Sequence, residues 1–137
     1  MVILEWVVEE LKLFKNDLEE LMKVSYEKGK KNCYWLCKEV YKKRGIELPE
    51  YDEPDELSLI SQLISDNVSL GEEIEKPEPF CFVLFSMKFP YVTHIGIVLE
   101  DCTSFIHLMR KRNVAIEKLN KDFWKKRIKG YYRWIGK

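Results

Sequence analysis

The apolar residues change their period once along this chain, and the change splits it into a helix-forming part and a strand-forming part. Val7, Leu11, Phe14, Leu18 and Leu21 recur at steps of four and three, which lays one apolar stripe on a helix from about residue 3 to residue 24. A spacer, SYEKGKK, follows with Gly29 as its turn residue. Asn32 then offers an N-cap, and Cys33, Leu36, Cys37, Val40 and Tyr41 fall at helical spacing until Gly45 stops the second helix. Residues 46–57 read as a Pro-containing loop, 57–64 as a short third helix, and the stretch up to Pro79 as a polar, acidic connection bordering a cleft. Beyond residue 80 the runs become short, β-branched and aromatic. Residues 81–87, 91–100 and 104–109 predict strands, 114–116 a fourth, 121–126 a helical turn and 127–135 a closing strand. Helices first and strands afterwards define an α+β fold, with N-terminal helices packed on a C-terminal antiparallel sheet.

A chain of 137 residues has enough material for one core and not for two, so a single domain over 1–137 is expected, its first 25 residues an N-terminal helix. The longest apolar run, 80–87, falls far short of the ~20 residues that span a bilayer. Glu5, Glu9 and Glu10 interrupt the apolar start, and no basic n-region precedes it, so no signal peptide is expected. The four cysteines form no disulfide framework of a small secreted domain. The expected location is cytoplasmic, or phage-associated if the substrate lies outside the cell.

Net charge is zero but unevenly spread. Residues 45–78 hold eleven acidic side chains against Lys76, whereas 110–137 hold eleven basic ones against Glu117 and Asp122. The basic end, with aromatic residues interleaved, would suit an anionic polymer; alternatively it is a solvated face that partly neutralises the acidic stretch.

The chemistry-bearing residues are few. Cys33 starts a helix, where the positive helix end and free N–H groups stabilise a thiolate. The only two histidines, His94 and His107, lie on the two strands of one expected hairpin. A two- or four-residue loop around Asp101 and Cys102 places both rings on one face, His107 opposite Gly96 and diagonal to His94 at ~7 Å. A thiol with two imidazoles is what nucleophilic amide hydrolysis requires. Each residue also has a plainer reading. Cys33 lies on an apolar stripe and fits core packing, as do Cys37, Cys81 and Cys102, and each histidine alone fits a hydrogen-bonded sheet residue. Cys33 and Cys37 with the histidines also offer a zinc site, but the spacing matches no finger pattern, so neither metal nor cofactor is expected.

Several segments together resemble the NlpC-type cysteine peptidases, most closely the phage and prophage variety. NCYWLCKEVYKKRGIELPEY (32–51) is similar to the family's active-site helix and the Gly-Ile-x-Leu-Pro stretch after it. THIGIVL (93–99) resembles its His-Val-Gly-Ile strand, FIH (105–107) the following strand, and VAIEKL and IKGYYRWI its closing strands. The match runs from about residue 26 to 135. The resemblance implies a papain-like α+β fold and cleavage of cell-wall stem peptides by a Cys-His-His triad. In that triad Cys33 is the nucleophile, His94 the general base and His107 the orienting group. It also implies substrate contacts for Tyr26, near the oxyanion, and for Tyr34 and Trp35, which stand where the family has small residues and so reshape the cleft. Asn32 replaces the family's aspartate before the cysteine. The expected partner is a peptide or peptidoglycan fragment. The other expectation left open is a non-catalytic papain-like module that binds a polyanion.

Overall fold

Helix α1 (Cys33–Lys43) begins where Asn32 caps it, its Oδ1 accepting from the Trp35 N–H at 2.9 Å. It ends at Arg44 and Gly45, the glycine taking φ +80°, a conformation costly for a side chain. The computed structural model describes residues 16–50, 71–88 and 91–134; most of the expected first helix and the expected helix at 57–64 lie outside these. Residues 16–21 are helical, and the helix stops three residues earlier than the apolar stripe predicts. Val24 is instead drawn toward the sheet, its carbonyl accepting from Val114 N–H at 2.9 Å, with Tyr26 N–H donating to Arg112 at 2.8 Å.

Six strands form one antiparallel sheet in the order β1-β6-β2-β3-β4-β5, namely β1 (Glu72–Ile74), β2 (Phe82–Phe85), β3 (His94–Val98), β4 (Ser104–Leu108), β5 (Val114–Lys118) and β6 (Ile128–Arg133). Five of them match the expected runs. β1 corrects the expectation of an irregular acidic connection: Glu72 to Ile74 pair with β6, and Arg133 binds Glu72 at 3.0 Å and also Glu78. Part of the basic end is thus neutralised by the acidic stretch. A one-turn helix α2 (Asp122–Lys125) precedes β6.

Alternation along the strands builds two apolar layers. Phe82, Leu84, Ile95, Ile97, Ile106 and Leu108 meet the α1 face, where Leu36, Cys37, Val40 and Tyr41 are buried. Full burial of a side chain such as Leu36 or Val40 contributes about 1.5–3 kcal/mol. The opposite face carries Val83, Phe85, Val98 and Phe105, covered by Trp124 of α2. No described helix is long and apolar enough to cross a membrane.

Candidate active site

The β3–β4 hairpin sets the geometry. Leu99 N–H donates to Ser104 at 2.8 Å, which leaves a four-residue loop of 100–103. Asp101 shapes it by accepting from the Thr103 and Ser104 N–H groups at 3.0 and 2.9 Å and from Ser104 Oγ at 2.7 Å. Burial alone would raise the Asp101 pKa, but these hydrogen bonds outweigh it and hold the carboxyl well below its usual range. Cys102 takes φ +60° in this loop and is partly exposed, so it is a turn residue rather than the packing residue expected.

An even loop preserves the expected parity. Ile97 pairs with Ile106 and Val98 with Phe105, so the same register sets Gly96 opposite His107. A Cβ on Gly96 would lie 3.0 Å from the Ile106 carbonyl oxygen and 3.3 Å from His107 Cβ, which explains a glycine in a buried strand. His94 and His107 therefore project from one face, and they lean together more closely than their diagonal positions predict. His94 Nε2 and His107 Nδ1 are 2.8 Å apart, and the ring centroids 5.1 Å. Both rings are buried among Phe85, Phe105 and Trp124.

A third group completes this arrangement. Glu117 of β5 places Oε2 2.9 Å from His107 Nε2. Sequence reasoning missed it because the fourth strand was expected to end at residue 116. One more residue of alternation beyond Ala115, which pairs with His107, would have brought Glu117 to the same face. A cavity of about 490 Å³ beside β5, lined by His107, Ala115, Glu117, Lys121 and Trp124, leaves the carboxylate end of the line partly wet, while the His94 end is dry. Lys121 approaches Glu117 Oε1 at 3.8 Å.

Cys33 is the first residue of α1 and is wholly buried in the apolar cluster on the α1 side, together with Leu36, Ile95 and Ile97. His94 opens β3 and points to the other face. The structure thus joins the two histidines and Glu117 in one hydrogen-bonded line and sets Cys33 in the layer beneath. Tyr34 is buried and donates to the Pro49 carbonyl at 2.5 Å, which fastens the chain after α1. Trp35 is half-buried under the Lys31 ammonium, 5.6 Å from its ring, and Tyr26 packs half-buried against the α1-side cluster. Cys37 and Cys81 are buried, and burial pushes both thiols up, Cys81 to about 11. Among the described residues no group of three or more potential metal ligands forms.

Burial lowers the pKa of both rings. That of His94 falls to about 3 through desolvation and then through His107; that of His107 also falls through desolvation, partly opposed by Glu117. A histidine held neutral in the fold contributes stability that is present above its unfolded pKa of about 6.5 and is lost as pH falls toward the folded value. His94 alone should make the protein about 2 kcal/mol less stable at pH ~5 than at pH ~7. Urea midpoints at the two pH values check this. Equal midpoints, or the same loss in His94→Leu, would contradict it.

An antiparallel sheet with a cysteine-headed helix packed on one face and a buried histidine pair on two adjacent strands defines an α+β domain. The model of the NlpC/P60 family matches residues 23–133, and the chain belongs to that family. A Staphylococcus aureus protein described as similar to a lipoprotein of this family shares the fold at a TM-score of 0.66 and 22% identity, over 94% of this chain and 42% of that one. A Bacillus cereus NlpC/P60 family protein does so at 0.54 and 21%, over 76% and 32%. The chain thus spans less than half the length of either. A comparison with curated protein sequences gives no match.

Proposed function

We propose that this chain is a cysteine hydrolase that cleaves an amide bond in the stem peptides of the bacterial cell wall. Cys33 is the nucleophile, His94 the general base and acid, and His107 the group that orients His94. The observation that carries this reading is the 2.8 Å hydrogen bond between two buried histidines on adjacent strands, in an NlpC/P60 chain whose helix α1 starts at a cysteine.

In this mechanism the Cys33 sulfur attacks the scissile carbonyl as His94 takes the thiol proton, and the N–H groups at the start of α1 face the developing oxyanion. His94 next gives its proton to the departing amine, and then removes one from the water that releases the acyl group. Tyr26, half-buried ahead of α1, and Trp35, half-buried on it, are the side chains assigned to the peptide in this reading.

Digestion of peptidoglycan fragments in water enriched in ¹⁸O, with the products identified by mass, tests the reading. The expected products are stem peptides cut at one amide, with a single ¹⁸O in the new carboxylate. Fragments cut in the glycan with intact stems, or left intact, would overturn it.

A further inference from the structure

We propose that Glu117 is a positioning residue that acts through His107 to fix which nitrogen of His94 carries a proton, leaving His94 Nδ1 as the base. The inference rests on the function proposed above for its catalytic consequence, but the proton arrangement itself follows from the hydrogen bonds between the two buried, neutral rings and Glu117.

A carboxylate can only accept. The 2.9 Å contact from Glu117 Oε2 therefore requires the proton of His107 to sit on Nε2. His107 is neutral, because burial disfavours its cation, so its Nδ1 is bare and accepts. The 2.8 Å partner of that nitrogen, His94 Nε2, must then be an N–H donor. His94 is neutral for the same reason, and its remaining nitrogen, Nδ1, holds a lone pair. The two rings, on β3 and β4, thus both point their protons toward Glu117 on β5. Without an acceptor at residue 117 the two rings can run the other way, with His107 Nδ1–H donating to His94 Nε2. His94 Nδ1 then bears the proton and cannot take one from a thiol.

Proton and charge balance along this line. When His94 Nδ1 receives the thiol proton, the S–H bond breaks, an N–H bond forms and the ring becomes a cation. His107 accepts a stronger hydrogen bond from it, and Glu117 holds His107 without itself taking a proton. Lys121 Nζ lies 3.8 Å from the other carboxylate oxygen, and Arg112 lines the same cavity.

With only two histidines in the chain, long-range proton–nitrogen correlation spectra of uniformly ¹⁵N-labelled protein can report both rings directly. At neutral pH the wild type should show the N–H on Nε2 and a bare Nδ1 in each ring. Glu117→Leu should bring in the Nδ1–H form of both rings. It should also lower kcat at least tenfold with KM unchanged, while Glu117→Gln, which keeps an acceptor oxygen and the shape, should retain more of the wild-type tautomer. A wild-type spectrum with the proton on His94 Nδ1, or a folded Glu117→Leu protein with the wild-type tautomers, would overturn the proposal. Because the spectra need no substrate, a failure of the proposed hydrolysis leaves this test standing, and the two failures are told apart.

Discussion

Cys33→Ala should lower the rate of stem-peptide cleavage by roughly 10⁶-fold, His94→Ala should do nearly as much, and the double variant should be no slower than the worse single one. In the proposed mechanism thiol and imidazole act as a unit. Without sulfur there is no covalent intermediate, and without His94 the proposed general base is gone. What survives is binding and the N–H groups at the start of α1, which no longer have a nucleophile to assist. Cys33→Ala removes only a sulfur from a buried position, a loss of about 1 kcal/mol in transfer terms, so the variant should stay folded. Release of a new amine from a defined stem peptide, followed with each variant and checked by circular dichroism, gives the numbers. A Cys33→Ala protein within tenfold of wild type would exclude the thiol as nucleophile.

The candidate set could be read from the chain only as far as its residues sit on strands whose register is fixed by a short, even loop. His94 and His107 are an example: the loop of 100–103 fixed their face, and Gly96 stood where a ring needed space. Glu117 is the counterexample. Five residues separate β4 from β5, with Lys111 at φ +62°, and no turn signature there sets the register, so the alternation of 114–118 could not be tied to His107. β1 was illegible for another reason. Glu72 and Glu73 are exposed, and their strand exists because β6 offers unpaired backbone and Arg133 a counter-charge. The helix α1 needed neither, since its cap, its stripe and its stop all lie within fourteen residues of sequence, 32–45.

The cover over the histidine pair was equally hidden, and it leads to the second large effect. Trp124→Ala should cost about 3–5 kcal/mol of stability and return both histidines toward an ordinary pKa. Helix α2 is a single turn of four residues, with no side-chain cap at Lys121 and one buried residue. So short a helix has no stability of its own. It is held by the Trp124 ring, whose centroid lies 4.9 Å from His107, 5.2 Å from Phe85 and 5.3 Å from Phe105. Removing the indole opens a cavity that joins the 490 Å³ space already beside β5, so water reaches the rings instead of leaving a dry void. Desolvation is the largest cause of the low pKa at both histidines, and hydration removes it. The two effects have opposite signs at low pH: the fold is weaker throughout, yet its further loss between pH ~7 and pH ~5 shrinks, because the rings now titrate in the native state much as they do in the unfolded chain. Urea denaturation across that range, with histidine shifts followed by nuclear magnetic resonance, separates them. A Trp124→Ala protein that keeps both rings neutral down to pH ~5 would show that their low basicity comes from contacts within the sheet and not from the cover that α2 provides.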